Sequence, residues 1–149
     1  MSRPIYFFDK SEDWFELSNF YPAGFTEDGV HWPTVEHYFH AQKFSGDDMA
    51  EYRSRIRNSG SPQQAKALGR TQKHAIRADW DRVRDEVMLH ALRRKFEDSK
   101  VREVLLATIK RDLIENSPYD RYWGAGRDGR GKNRLGKLLM QVREELRSS

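Results

Sequence analysis

The chain has 149 residues, no cysteine and a formal charge of +4 at pH 7, from 27 basic and 23 acidic side chains. The lack of cysteine excludes disulfides, a thiolate nucleophile and a thiolate metal site. No apolar run reaches the roughly 20 residues that span a bilayer. Aromatic residues make up 12% of the chain, which argues against disorder. We therefore expect one soluble, cytoplasmic domain over residues 1–149, without a membrane partner.

Charge and aromatic residues are unevenly distributed. Residues 1–50 carry 3 basic and 9 acidic side chains, for a charge of −6, whereas residues 51–149 carry 24 basic and 14 acidic side chains, for +10. Of the 18 aromatic residues, 12 lie within residues 1–44. Two interpretations stay open: strands come first and solvated helices later, or a cleft has stacking rings on one wall and anion-binding groups on the other.

Short β-prone segments dominate the first 32 residues. The pattern predicts strands at residues 5–8, 14–17, 24–26 and 30–32. Asp28 and Gly29 separate the last two strands and predict a tight hairpin turn, because both residue types tolerate positive φ.

Helical patterns follow along most of the remaining chain. The first runs over residues 34–44 with Thr34 as N-cap, and the second over residues 48–58. A third begins at Ser61-Pro62 and ends at Gly69. Further predicted elements are a helix over residues 80–96 capped by Asp79, a helix from Ser99, a short strand at residues 112–115, a glycine-rich loop at residues 124–131 and a last helix from Asn133. The fold class is α+β, helix-rich, with a small sheet formed mainly by the N-terminal third.

The glycine-rich loop matches GxGxxG over residues 124–129, but no buried strand lies directly before it and only a helix follows it, which argues against a dinucleotide fold. Asn133 stands where a P-loop needs Ser or Thr. Glycines before a helix N-terminus favour phosphate binding through backbone N–H groups. The alternative is a flexible surface turn with solvated bases. The basic side chains of this segment are Arg127, Arg130, Lys132 and Arg134.

Three ionisable residues share one face of the helix at residues 34–44. Glu36, His40 and Lys43 stand at i, i+4 and i+7. A lysine beside aromatic residues loses solvation, which lowers its pKa and makes a nucleophilic amine, and a nearby glutamate can act as acid or base. The alternative is a pair of surface charges.

Two other groups of polar residues are open to a functional or a structural interpretation. Glu115 and Asp120 lie in a loop just before Trp123, where binding groups concentrate. Asp79 and Trp80 are explained by helix capping and inward packing. The histidines at positions 37 and 40 do not follow the HExxH order and lack a third ligand, so we expect no metal and no cofactor.

Several segments, taken in order, resemble the NADAR superfamily, and most closely its small bacterial riboflavin-intermediate N-glycosidase branch. The resembling segments are LSNFYP at 17–22, WPTVEHYF at 32–39, QKF at 42–44, AKALGR at 65–70, DWD at 79–81, VM at 87–88, KF at 95–96, Glu115, Asp120, YWGAG at 122–126 and GKNRLG at 131–136.

The resemblance implies hydrolysis of the C–N glycosidic bond of ribosylamino-pyrimidine 5′-phosphates, with release of ribose 5-phosphate. The partner would be this small phosphorylated ribosylamine. Other family members are implied to remove ADP-ribose from guanine in nucleic acid, which leaves nucleic acid as the alternative partner. A non-catalytic ADP-ribose or nucleotide-binding module is the third reading, although pure binding needs neither Lys43 nor Glu36.

The resemblance also implies roles for particular residues. Lys43 is the nucleophile that forms a Schiff base with the opened sugar, while Glu36, Asp120 and Glu115 manage protons and water. Phe20, Trp32 and Trp123 would stack on the heterocycle. The full set of expected substrate-binding residues is Asn19, Phe20, Trp32, His40, Asp79, Trp80, Trp123, Gly124, Gly126, Lys132, Asn133 and Arg134.

Overall fold

The computed structural model describes residues 3–149, over which the chain forms six helices and four short strands. The α+β, helix-rich class expected from the sequence is confirmed. The strands are β1 (Ile5–Phe7), β2 (Phe25–Glu27), β3 (Val30–Trp32) and β4 (Leu113–Glu115). The helices are α1 (Val35–Ala41), α2 (Ala50–Arg57), α3 (Pro62–Gly69), α4 (Trp80–Lys95), α5 (Ser99–Ala107) and α6 (Arg134–Ser148). Single 3-10 turns lie at Phe15–Leu17 and Asp47–Met49.

The strands form two pairs. β1 pairs in parallel with β4, with Ile5 opposite Leu113 and Phe7 opposite Glu115. β2 and β3 form an antiparallel hairpin. Three of the four strands lie in the N-terminal third, as expected, but the small sheet is divided in two because β1 takes its partner from the far end of the sequence.

The hairpin turn has the predicted chemistry. Asp28 and Gly29 have φ values of 50° and 78°. A two-residue turn with positive φ at both positions matches the right-handed twist of the flanking strands, which is why Asp-Gly is favoured there. β2 begins one residue later than the sequence pattern indicated.

The strand predicted at residues 14–17 is wrong. Phe15–Leu17 is a 3-10 turn, in which the Leu17 N–H donates to the Trp14 carbonyl at 3.0 Å and the Ser18 N–H donates to the Phe15 carbonyl at 2.8 Å. The segment is rich in aromatic residues, but that preference for strands reflects packing on a sheet rather than the backbone itself. No partner strand is available here among the described residues, so the local turn forms instead.

Two predicted helix starts, at Thr34 and Ser61, are confirmed by the observed caps. Thr34 Oγ1 accepts from the His37 N–H at 3.1 Å, and Ser61 Oγ accepts from the Gln64 N–H at 3.1 Å. α1 ends at Ala41 rather than at residue 44, because the last N–H groups form i→i+3 bonds. The predicted helix at 48–58 begins with a 3-10 turn, and its α-helical part is α2.

Contacts divide the described chain into two units, each with its own buried side chains. The first comprises residues 3–21 and 92–149, and the second residues 22–91. Buried apolar residues of the first unit include Ile5, Phe7, Leu17, Leu92, Phe96, Val101, Leu105, Leu113, Leu135, Leu138, Leu139 and Val142. Those of the second unit include Phe25, Trp32, Val35, Tyr38, Phe39, Ala41, Phe44, Ile56, Ala65, Trp80, Met88 and Ala91.

Candidate functional site

The second unit contains a buried polar cluster on α1. Glu36 and His40 are 8% and 5% exposed, and His40 Nε2 lies 3.0 Å from Glu36 Oε2. Lys43 follows the helix and is half-buried. Its Nζ donates to the Gly69 carbonyl at 3.2 Å. The alternative interpretation as a pair of surface charges is wrong, because Glu36 is buried and Lys43 is half-buried.

Burial sets the protonation state of His40. Desolvation lowers the pKa of the His40 imidazole, and Glu36 opposes this shift. The neutral ring then donates its Nε2 hydrogen to the Glu36 carboxylate, which leaves Nδ1 as an acceptor. That Nδ1 atom is buried and has no hydrogen-bond partner among the described residues. His40 therefore orients Glu36 and has little surface left for a substrate.

The amine of Lys43 has a pKa well below that of an ordinary lysine. Burial lowers the pKa of its amine to about 8, the charges of Arg70 and Lys66 act in the same direction, and Glu36 opposes them. With this pKa, roughly a quarter of the amine is unprotonated at pH 7.5, compared with about 0.1% for an unperturbed lysine. The amine can therefore act as a nucleophile near neutral pH.

Gly69, the last residue of α3, is a site residue that the sequence reasoning missed. Besides accepting from Lys43, it packs directly against the His40 ring: a Cβ atom at Gly69 would lie 2.6 Å from both Cβ and Cγ of His40. The sequence indicated only a helix end there. The contact joins residues that are far apart in the chain, and no local pattern reports it.

In the first unit, the loop after β4 brings Asp120 and Trp123 together. One oxygen of the Asp120 carboxylate accepts from the N–H groups of Tyr122, at 2.9 Å, and of Trp123, at 2.8 Å. The rings of Tyr122 and Trp123 meet edge to face at 4.9 Å. Asp120 thus fixes the turn that carries Trp123, and its second oxygen is the one that could serve chemistry.

Glu115 ends β4 and lies against the glycine-rich loop. A Cβ atom at Gly124 would approach within 2.5 Å of Glu115 Oε2 and 2.9 Å of the Glu115 carbonyl. Glycine at position 124 therefore permits the close approach of the loop to this carboxylate. Glu115, Asp120, Trp123 and Gly124, predicted as site residues from separate motifs, form one cluster.

The backbone N–H groups of the glycine-rich loop are mostly used within the protein. Those of Ala125, Gly126, Gly131 and Lys132 donate to carbonyls of this unit. At the start of α6, the N–H groups of residues 133–135 donate to the carbonyls of residues 124, 122 and 123. A phosphate cradle built from these particular groups therefore has no geometric support and stays a prediction. The basic side chains beside the loop are the other candidates for phosphate contact.

The basic side chains near the loop differ in their surroundings. Lys132 is exposed, with its Nζ 5.6 Å from the centroid of the Tyr122 ring. Arg127 and Arg130 are exposed, and Arg134 is half-buried. Gly126 is buried and has a φ of 73°, which favours glycine there.

Asn133 has a structural function. Its Oδ1 accepts from the Glu115 N–H and its Nδ2 donates to the Leu113 carbonyl, both at 2.9 Å. The side-chain amide therefore completes the free edge of β4 in place of a third strand. Both ends of the amide are engaged by the backbone, so substrate contact by Asn133 stays a prediction without geometric support.

Three other predicted site residues are core or paired residues. Trp32 packs edge to face on Tyr38 at 5.4 Å, and Trp80 packs on Phe39 at 5.0 Å, so each indole is almost entirely buried. The Asp79 carboxylate accepts from Nε and Nη2 of Arg77. Their predicted substrate contacts have little exposed surface to support them.

The Leu17–Ser18–Asn19–Phe20 segment contains the last two predicted residues. Asn19 is 7% exposed, and Phe20 is half-buried with its N–H donating to Ser18 Oγ at 3.1 Å. The Ser18 carbonyl accepts from the Nζ of Lys95, at 2.8 Å. Lys95 is fully buried, and the sequence offered a signal for this, because it stands at helical spacing from the apolar residues Met88, Ala91 and Leu92.

Residues 3–149 contain neither a metal-binding cluster nor a membrane-spanning helix. No group of three or more His, Asp or Glu side chains among them is arranged to hold a metal ion. None of their helices has the length and apolar character needed to cross a membrane. The absence of a cofactor stays a prediction.

Comparison with known proteins identifies the family. The NADAR domain model matches residues 6–147. The N-glycosidase YbiA of Escherichia coli is 46% identical over 143 residues, covering 95% of this chain and 88% of the relative. The N-glycosidase Npun_R5314 of Nostoc punctiforme is 43% identical over 145 residues, covering 97% and 93%. A riboflavin biosynthesis protein of Vibrio vulnificus, VVA0006, is 42% identical over 98% of this chain and 39% of the relative.

The solved structures give the same assignment. The NMR structure of E. coli YbiA superimposes with a TM-score of 0.88 and 44% identity, covering 98% of this chain and 86% of that one. The resemblance inferred from the sequence motifs is thereby confirmed. With a family match over almost its whole length and close relatives named N-glycosidases, the chain belongs to the NADAR domain family and is a glycosidase that acts on N-glycosyl compounds.

Proposed function

We propose that this enzyme hydrolyses the C–N glycosidic bond of ribosylamino-pyrimidine 5′-phosphates, the early intermediates of riboflavin biosynthesis, and releases ribose 5-phosphate. The observation that carries the proposal is the half-buried Lys43 amine, whose pKa of about 8 makes it available as a nucleophile. The substrate class is supported by the relatives, since two are named N-glycosidases and one a riboflavin biosynthesis protein. We further propose that residues 1–149 act as one NADAR domain, which the single match over residues 6–147 supports.

The proposed reaction proceeds through a lysine Schiff base. Protonation of the ring oxygen opens the ribosylamine to an imine at C1′, and the neutral Lys43 amine adds to that carbon. The aminopyrimidine then leaves with a proton, which leaves C1′ joined to Lys43 as an imine. Water adds to this imine and the C–N bond to lysine breaks, so that one water is consumed and ribose 5-phosphate and the free aminopyrimidine are formed.

The carboxylates manage the protons of these steps. Glu36, held by His40, is the carboxylate whose charge acts on Lys43, which suits it to accept the proton that the attacking amine loses. Asp120 and Glu115 are proposed to orient the water and to protonate the departing amine. Trp123 is the indole proposed to stack on the pyrimidine, since it is half-buried whereas Trp32 and Trp80 are core residues.

The phosphate is proposed to contact the side chains of Lys132 and Arg134, beside the glycine-rich loop. This assignment rests on charge and exposure, since the nearby N–H groups are occupied. Charge-assisted contacts from lysine and arginine suit a 5′-phosphate.

The test is incubation with 5-amino-6-ribosylamino-uracil 5′-phosphate and quantification of ribose 5-phosphate. We expect the wild type to release ribose 5-phosphate and Lys43→Met to release it at least about 100-fold more slowly. This substitution retains most of the side-chain length. A wild type that leaves this compound intact but removes ADP-ribose from guanine in DNA or RNA would transfer the proposal to the nucleic-acid substrate. Binding of ADP-ribose without turnover of either compound would identify a binding module.

A further inference from the structure

We propose that Gly69 is a positioning residue for the reaction at Lys43: its carbonyl holds the Lys43 amine, and its missing side chain makes room for the imidazole that holds Glu36. The inference deepens the proposed function and rests on it for the identity of the nucleophile. Gly69 is placed neither in contact with substrate nor among the reacting groups. It acts through two neighbours, one polar and one steric.

The steric observation is the close packing of α3 on α1. A Cβ atom at Gly69 would lie 2.6 Å from Cβ and Cγ of His40, and closer still to Nδ1. Real Cβ contacts are longer than this, so alanine at position 69 requires a shift. His40 cannot rotate away freely, because its ring is 5% exposed and bound to Glu36 at Nε2. The overlap is therefore relieved by separating the end of α3 from α1, the helix that carries both His40 and Glu36.

Backbone conformation does not explain the glycine. Gly69 is absent from the positive-φ residues of the described chain, although it is the last residue of α3. Its backbone conformation is therefore one that alanine also adopts. The requirement for glycine thus comes from the neighbouring His40 ring.

The polar observation is the hydrogen bond from Lys43 Nζ to the Gly69 carbonyl, at 3.2 Å. A neutral amine that donates one hydrogen to a fixed carbonyl keeps its lone pair and loses rotational freedom, which favours attack from a defined direction. The preceding carbonyl, of Leu68, accepts from the Tyr52 hydroxyl, so the end of α3 is itself held in place. A displaced α3 end would move the carbonyl that holds the Lys43 amine away from the helix that carries Glu36.

The main test compares Gly69→Ala with Gly60→Ala. The control adds the same methyl group just before α3, where its nearest neighbour is the flexible end of Gln64, at 3.2 Å. We expect Gly69→Ala to lower kcat at least 10-fold with less than a threefold change in KM, and Gly60→Ala to change neither by more than twofold. Equal kcat values for Gly69→Ala and the wild type would overturn the inference.

A second measurement does not depend on the substrate. The pKa of Lys43 is obtained from the pH dependence of its acylation by acetic anhydride, followed by mass spectrometry. The charged groups that act on this amine are Glu36, Lys66 and Arg70. Displacing α3 from α1 admits water, so Gly69→Ala is expected to raise the pKa of Lys43 toward that of an exposed lysine, whereas Gly60→Ala leaves it near 8.

The two readouts separate the possible failures. A wild type without glycosidase activity, together with the expected change in Lys43 acylation, would reject the proposed function and retain the positioning by Gly69. An active wild type with unchanged Lys43 acylation and unchanged kcat in Gly69→Ala would reject the positioning alone.

A double variant tests the steric route and also covers a folding failure. Gly69→Ala combined with His40→Ala has room for the added methyl, so we expect it to fold and to be no less active than His40→Ala alone. This non-additivity is the signature of two residues that act through one contact. Losses that multiply in the double variant, or a double variant that fails to fold as Gly69→Ala does, would contradict the inference.

Discussion

Lys95 makes protein stability depend on pH in a way that can be calculated. Its side chain is 1% exposed, and its Nζ donates to the Ser18 carbonyl at 2.8 Å and lies 5.0 Å from the centroid of the Phe96 ring. Burial lowers the pKa of this amine to about 7, and the Glu16 charge opposes the shift. Replacing Lys95 by Met keeps the length of the side chain and removes the titration.

The sign follows from the two protonation states. An unfolded lysine has a pKa of 10.5, so between pH 7 and pH 10.5 the unfolded chain binds more protons than the folded protein. The Lys95 contribution to the free energy of unfolding therefore rises with pH across this window. Below pH 7 both states hold the proton, and the cost of the buried charge is constant at about 5 kcal/mol. From pH 7 to pH 9 the expected gain is about 2 kcal/mol.

The assay is urea unfolding of the wild type and Lys95→Met at half-unit steps from pH 6 to pH 9.5. Other groups titrate in both proteins, so the quantity of interest is the difference between their free energies of unfolding. That difference is expected to shift by about 2 kcal/mol in favour of the wild type between pH 7 and pH 9. Lys137→Met, at an exposed position of α6, is the matched control and should show no such shift. Parallel pH curves for the wild type and Lys95→Met would show that burial does not lower the pKa of Lys95 as expected.

Three further predictions concern Lys43, Asn133 and Arg143. Because the proposed nucleophile is the unprotonated Lys43 amine, kcat/KM should rise as pH increases through about 8 and then level off; a rate that is flat from pH 6 to pH 9 would contradict this. Asn133→Ala removes both hydrogen bonds to the edge of β4 and should lower the free energy of unfolding, measured in urea, by about 2–3 kcal/mol. A loss below about 0.5 kcal/mol would show that water replaces the amide. Arg143 Nη1 donates to Thr108 Oγ1 at 2.9 Å and to the Arg111 carbonyl at 2.8 Å. Arg143→Met should therefore lower the free energy of unfolding by about 1–3 kcal/mol in the same assay. An unchanged urea midpoint would show that these two hydrogen bonds do not stabilise the fold.

Local sequence signals predicted the elements whose chemistry is local. Asp28-Gly29 specified its turn, Ser61 and Pro62 specified the start of α3, and the glycines before α6 marked a loop. The misassigned segment at residues 14–17 shows the limit, because its aromatic residues indicate packing but not a strand partner. Parallel pairing of β1 with β4 joins the two ends of the sequence and had no local signal.

Helix periodicity correctly grouped Glu36 and His40, but it could not show that the whole of α1 is buried. Nor could it show that Lys43, just after that helix, is buried enough to lower the pKa of its amine. The glycine-rich loop shows a second limit. Its pattern predicted N–H groups open to phosphate, whereas most of them donate to carbonyls of the same unit. A sequence motif does not show which backbone N–H groups form hydrogen bonds to carbonyls outside the motif.

The central claim is that Lys43 forms a covalent imine with the sugar. Borohydride reduction during turnover of 5-amino-6-ribosylamino-uracil 5′-phosphate, followed by peptide mass spectrometry, tests it directly. We expect a reduced ribose 5-phosphate adduct on the peptide that contains Lys43, and no adduct in Lys43→Met under the same conditions. An active wild type without an adduct, or a Lys43→Met variant that retains near-normal turnover, would contradict the imine and favour direct attack of water assisted by Glu36.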